Sequence, residues 1–411
     1  MGNKNEGYLG GIMGGESRVE SGSAGSLDVT TTNSTTSHGE EHTADGTFST
    51  VGDVIVHDGW NQQNTGYTGT NYSKANEGTL VISDGDVTVD VEVWGAAGGS
   101  GQGSYTGYGG GGEYRKARMV LKPGTYYWMV GGGGGTGSDS LDRQGSGGWG
   151  GGGSSGAYSG PGNDATAWGN GGDISTINNT RTALGAGGGG LTGLFGATSA
   201  SQADALLVAG GGGGYGFNQA AGHPGGSSNT TSGSDSAGGV GTDDGAAGKG
   251  GHGDNNGGGG GGGYWGGAGA LQNSEIAGGG RGFTVTSDGH ALVGTVSNVT
   301  TEAGSGNTPG GSSSSNFKTD LATSTSANER VGRGGRIAIT IVDVGGGGGG
   351  GLQNTGILSL EEAGTQTVGD LTLPQVSWGG ITGRSVLTDG SSLVNTGIFS
   401  LEEIYELTKA N

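Results

Sequence analysis

An all-β fold interrupted by an inserted bundle of polyglycine-II helices is what this 411-residue sequence predicts. Three observations carry that expectation. Glycine supplies 109 residues and proline 5, without a strict G-X-Y period, which argues against a collagen triple helix. The glycines collect in runs, at Gly109–Gly112, Gly131–Gly135, Gly150–Gly153, Gly187–Gly190, Gly210–Gly214 and Gly257–Gly263. Between the runs stand short segments in which apolar and polar residues alternate, the period of a half-buried strand.

Such runs need a stabilising network, because ordering glycine costs roughly 1 kcal/mol more than ordering alanine in regular structure. Hydrophobic residues make up 29% of the chain, so side-chain burial has to be supplemented. Left-handed three-residue helices packed side by side supply the compensation. They make no internal hydrogen bonds and point every N–H and C=O outward, and without a Cβ their neighbours come close enough to pair those groups. Weak Cα–H···O contacts add to the pairing. Unpaired, the same composition would be a flexible linker.

In chain order, residues 1–78 are rich in Ser, Thr, Asn and Gly, with apolar islands at Tyr8-Leu9, Ile12-Met13, Val51–Val56 and Trp60. They predict an irregular arm with one or two short strands, suited to attachment. Thr79–Ser83 and Val87–Trp94 read as strands joined by an Asp84-Gly-Asp86 turn; in the second, Val87, Val89, Val91 and Val93 alternate with Thr88, Asp90 and Glu92. Tyr114–Leu121 and Thr125–Val130, joined by Lys122-Pro-Gly124, read as a hairpin whose second strand runs into Gly131. Ala205–Ala209, Phe283–Thr286, Ala291–Val296 and Arg336–Asp343 complete the strand set, and the domain is expected to span 79–344.

The order V-x-V-x-V-W-G-A-A-G-G, G-G-G-G-E-Y, K-P-G-T-Y-Y, V-G-G-G-G-G, L-L-V-A-G-G-G-G-G and G-G-R-I-A-I-T resembles the glycine-rich domain of phage tail-fibre proteins, and a similar pattern occurs in the extracellular part of anaplastic lymphoma kinase. The resemblance implies a small β-sandwich with an inserted polyglycine-II bundle. It also implies a virion surface protein: tip adhesins of T-even-like phages use such bundles, with variable loops between runs contacting the host.

Residues 345–411 form a different module. Asn354–Glu362 recurs as Asn395–Glu403, reading N-T-G-I-[LF]-S-L-E-E. Ser359 with Glu362, and Ser400 with Glu403, have capping-box spacing, so the second copy starts a terminal helix with Leu401, Ile404 and Tyr405 on one face. That end is similar to a C-terminal signature of phage virion proteins, G-[IV]-[WF]-[ST]-L-x-E-x-Y.

A net charge of −20 argues against a nucleic acid or an anionic membrane as partner, and suits a surface adapted to high ionic strength. The basic groups Arg115, Lys116, Arg118, Lys122 and Arg330, Arg333, Arg336 read as solvated strand faces. Cysteine is absent, so no disulfide or thiolate metal site is expected. The start Met-Gly-Asn-Lys-Asn-Glu carries no secretory signal and no myristoylation site, and no apolar run has transmembrane length. Assembly in a host cytoplasm as part of a particle is the expectation.

Enzyme-like motifs are weak. His38-Gly-Glu-Glu-His42 matches H-x-x-E-H, but its surroundings disfavour a helix; Gly152-Gly-Ser-Ser-Gly156 matches G-x-S-x-G without a strand-to-helix context. Gly160–Asp164 and Gly238–Asp243 resemble fragments of the calcium-binding nonapeptide β-roll, which makes a secreted β-roll protein a further alternative. No cofactor and no metal are expected. The best receptor-binding candidates are Trp149, Tyr158, Trp168, Tyr215, Phe217, Tyr264 and Trp265 near run ends, with His223 in the polar insert, where a receptor loop or a glycan would stack. Capping the bundle is the plainer role for any one of them. The sequence therefore predicts a non-enzymatic tail-fibre or spike adhesin that binds other virion proteins and a host receptor, as a homo-oligomer with a trimer the usual fibre arrangement. A capsid decoration or head-fibre protein without a receptor role is the alternative.

Overall fold

The computed structural model describes residues 25–34, 40–60, 76–101, 107–136, 145–156, 165–172, 185–216, 221–226, 246–271, 276–324 and 332–345. The chain divides into two compact units, 1–346 and 347–411. The second, with the repeat and its expected helix, lies outside the described residues.

The described residues are all-β, with no helix. Twelve strands form two antiparallel sheets: β1 (Leu27–Asn33), β2 (Gly46–Phe48), β3 (Val54–Asp58), β4 (Asn76–Ile82), β5 (Val87–Trp94), β6 (Tyr114–Leu121), β7 (Gly124–Val130), β8 (Thr192–Phe195), β9 (Ala205–Ala209), β10 (Phe283–Thr284), β11 (Val293–Glu302) and β12 (Arg336–Asp343). One sheet has seven strands in the order β10-β9-β8-β7-β4-β1-β2, the other five in the order β11-β6-β5-β12-β3. Their facing sides share one apolar cluster, with Leu80, Ile82, Tyr126, Trp128 and Leu207 from the first sheet against Val87, Val89, Val91, Val93, Met119, Leu121 and Ile339 from the second. A chain poor in hydrophobic residues thus builds a full core by concentrating them in strands.

Alternation places the strands correctly but not always their partners. Tyr114–Leu121 and the strand after it do not form a hairpin: β6 pairs with β5 and β11, while β7 pairs with β4 and β8. The Lys122–Gly124 turn crosses from one sheet to the other, as does the Asp84–Asp86 turn between β4 and β5. Both strands bury alternate residues, so each fits either layer and local pattern leaves the choice open. The stretch before residue 78 supplies three complete strands, β1 to β3, and these join both sheets.

The register gives the unit two ends. At one, Asp58, Trp94, Tyr114 and Arg336 align across one sheet, and Asn76 aligns with Val130 and Thr192 with Ala209 in the other. Every described glycine run that meets a strand meets it there. At the opposite end lie the two inter-sheet turns, and there the chain enters and leaves side by side, Gly25 N–H donating to Val344 O at 2.6 Å.

Among the runs, backbone groups pair between segments rather than within them. The segment 186–191 donates to three neighbours in rotation: Ala186 and Gly189 to Tyr215 and Gly212, Gly187 and Gly190 to Gly135 and Gly132, Gly188 and Leu191 to Gly153 and Gly150. Its carbonyls accept from three other stretches: Gly99 and Ala96 bond to Gly187 and Gly190, Gly259 and Gly262 to Ala186 and Gly189, and Gly148 to Gly188. Wherever a partner segment recurs, it recurs after three residues. Side-chain oxygens fill gaps in this pairing, with Gly109 N–H donating to Ser324 Oγ, Gly131 to Thr192 Oγ1, Gly145 to Ser155 Oγ and Gly210 to Glu113 Oε2.

Candidate functional site

Most of the described aromatics outside the sandwich core gather on one surface. Runs that turn back at the sheet end, without entering a strand, carry Trp149, Trp168, Tyr264 and Trp265; the first three pack against residues of the seven-stranded sheet, and Trp265 meets Tyr264. Trp168 stands edge-on to Phe195 of β8 (5.7 Å between centroids, 84°) and to Tyr264 (6.4 Å, 70°). Tyr264 stacks on Phe283 of β10 (4.3 Å, 13°) and meets Trp265 edge-on (5.7 Å, 89°). Tyr127, Trp149, Trp168, Tyr264 and Phe283 pack as partly buried residues around Met129, Leu191, Phe195 and Val208. Residues more than a hundred positions apart thereby form one half-exposed aromatic surface.

Local backbone chemistry positions the rings. Trp168 holds φ 57°, in the left-handed region that costs a non-glycine residue roughly 1–2 kcal/mol. Its N–H donates to Gly248 O at 2.9 Å, and its indole lies over that glycine, where a Cβ would come within 2.4 Å of the ring. Trp265 pairs with Arg281 through backbone bonds in both directions, at 3.3 and 2.8 Å. Stacking and edge contacts are the chemistry such a surface offers.

The other sequence-predicted residues lie elsewhere. Tyr215 is fully buried, its ring against Gly107. His223 is half-buried within the runs; burial lowers its pKa, and its carbonyl accepts from Gly213 N–H at 2.9 Å. Tyr158 and Phe217 lie outside the described residues, as do both β-roll-like fragments. Among the described residues no group of three or more His, Asp or Glu is placed to hold a metal.

Lys116, Arg118 and Lys122 keep the solvated strand face expected of them, whereas the structure corrects that expectation for Arg115 and Arg336. Arg118 and Lys116 reach across the strand pair to Asp90 (2.7 Å) and Glu92 (3.4 Å), and Arg115 binds the fully buried Glu113 at 2.8 Å. Arg336 is itself buried, between Asp58 (2.7 Å) and Glu41 (2.9 Å). Cross-strand register makes these pairs, and composition carries no trace of it. Of the enzyme-like motifs, Ser154 and Ser155 are fully buried, and His42 lies in an extended bridge, its Nδ1 3.3 Å from His57 Nδ1, while His38 lies outside the described residues.

No protein-family model matches this chain, and no curated protein is significantly similar to it.

Proposed function

We propose that this chain is a structural protein of a virus particle, a tail-fibre or spike adhesin that displays peptide loops on a stiff glycine scaffold and binds a host-surface receptor through them. The scaffold is a bundle of polyglycine-II helices. The single observation that carries this reading is the three-residue recurrence of hydrogen-bond partners around 186–191, which is the repeat of that helix. Backbone angles support it in five of the six runs: none of the glycines in Gly109–Gly112, Gly131–Gly135, Gly187–Gly190, Gly210–Gly214 or Gly257–Gly263 takes a positive φ, although glycine is free to, whereas Gly150 and Gly151, in the turn after Trp149, do (89° and 80°).

The two ends of the unit suit display. The end where Gly25 meets Val344 would face the particle and the other virion proteins. The paired runs flanking 102–106, 137–144, 217–220 and 272–275 reach away from it, so those stretches vary without disturbing the backbone pairing. The aromatic surface at Trp168, Tyr264 and Trp265 is a second contact region, of the kind that anchors a glycan or a receptor loop. A fibre of this type works as a homo-oligomer, with a trimer the expected form.

Competition tests the reading. Purified protein added in excess should block adsorption of the virus to its host. Protein that binds particles and leaves adsorption unchanged would instead make it a capsid decoration.

A further inference from the structure

Beyond β11 the chain crosses the outer side of the five-stranded sheet before returning to β12. Both ends of this crossing are tied into the glycine region, Gly310 N–H donating to Gly112 O (3.2 Å) and Ala322 N–H to Gly334 O (2.9 Å). Between them, the backbone bonds of 312–320 are short-range, such as Ser314 to Gly311 and Phe317 to Ser314. Three carboxylates of the sheet, Glu302, Glu92 and Asp58, take polar ties from this stretch. Gly311 N–H donates to Glu302 Oε2 at 2.8 Å, Ser314 Oγ to Glu92 Oε2 at 2.5 Å and Asn316 Nδ2 to Glu92 Oε1 at 2.9 Å, and Lys318 Nζ lies 3.1 Å from Asp58 Oδ2. Beneath it are Trp94 and Tyr114, tilted against each other at 4.8 Å and 37°, with Val56 and Ala338; Phe317 supplies the segment's aromatic contact, 6.4 Å from Trp94.

We propose that residues 312–320 are an acid-released strap: ionised carboxylates hold it at neutral pH, and protonation lifts it to uncover the Trp94–Tyr114 surface while both its ends stay in the glycine region. The latch is centred on Glu92, which faces Tyr114 Oη (2.7 Å) and Lys116 Nζ (3.4 Å) from β6, with Asp90 sharing that lysine at 3.9 Å. Glu302 pairs across from Tyr114, and Asp58 also holds Arg336, which Glu41 shares. Burial pushes Glu92 up, but hydrogen bonds from Ser314, Tyr114 and Asn316 and the charge of Lys116 more than offset it, so its pKa lies below the ordinary 4.5. The sign follows from linkage. The hold is complete above the ordinary carboxylate value and is lost as pH falls through the lower, folded one. Opening also frees Trp94 Nε1–H, a buried donor without a partner in the closed form.

A single dye reports on the strap, because the chain has no cysteine and Ser315 is exposed. The Ser315→Cys protein, labelled and titrated from pH 7 to pH 3, should lose at least half its dye anisotropy before the far-UV circular dichroism changes. Adding Glu92→Gln should remove that early transition. Should Glu92→Gln fail to fold, Ser314→Ala with Asn316→Ala should free the label at pH 7 with the β signal intact. A label that moves only together with the β signal, or one that stays immobile at pH 7 in the double variant, overturns the proposal.

Discussion

At Gly188 an added Cβ would stand 2.0 Å from Gly260 O, closer than any real side chain comes, whereas at Gly46 in β2 nothing lies within 4 Å. Gly188→Ala should therefore destabilise by about 3 kcal/mol, as overpacking of a rigid interior does, and Gly46→Ala by less than about 0.5 kcal/mol. Denaturant melts of the two variants check this, and equal effects would mean the runs yield to a methyl group. A second residue sets acid sensitivity. His57 is almost fully buried, stacked on Trp128 at 4.1 Å; burial first and the neighbouring His42 second lower its pKa to about 3. Its contribution to stability is complete above the ordinary value of 6.5 and shrinks as pH falls toward 3, because only the unfolded chain takes up the proton. His57→Phe should make stability fall less steeply over that window, by about 1.4 kcal/mol per pH unit, the value of one proton. Glycine content was legible in the sequence at a glance. Which glycines have no room was not, since that depends on a carbonyl more than seventy positions away.

Elements show the same division. β5, β6, β9 and β12 could be read to the residue because alternation or an unbroken apolar run bounds them sharply. β8 escaped notice, for Thr192–Phe195 has four residues, one of them glycine, and all four are buried, so no alternation marks it. β11 runs on to Glu302 past a bulge at Asn298, where φ is 50°, through residues polar enough to pass for a loop. For the runs, the three-residue repeat makes a test by deletion. Removing three glycines from Gly257–Gly263 keeps every remaining N–H aimed at its neighbour and should cost about 3 kcal/mol, one hydrogen bond per residue. Removing a single glycine turns half of the run through a third of a revolution and should abolish cooperative folding. Melting curves of the two deletions decide, and a single-residue deletion that melts like the parent would exclude the three-fold arrangement.

For the whole molecule, a net charge of −20 makes self-repulsion a general force against compaction, and salt screens it within about 3 Å at 1 M. Many carboxylates are already matched locally, as Asp90, Glu92, Glu113 and Asp58 are. The excess should still make the denaturation midpoint climb steadily from 0.1 M to 2 M potassium chloride. A midpoint that stays level would show that the local pairs suffice. The aromatic surface also belongs to this scale. Trp149, Trp168, Tyr264 and Trp265 could be picked out as large rings beside glycine runs, but the meeting of the first three with Phe195 and Phe283 depends on three separate turns arriving at one side of one sheet.

By itself the sequence determined that this is a strand-rich protein in which several glycine runs adjoin strand boundaries, because period-two alternation and glycine's missing side chain are properties of neighbouring residues. Only the tertiary structure decided which sheet each strand joins, which run lies against which, and which charges are matched. A glycine N–H is the same group at every position, so nothing local records that Gly189 pairs with Gly212 while Gly190 pairs with Gly132. That assignment is made by packing, all runs at once.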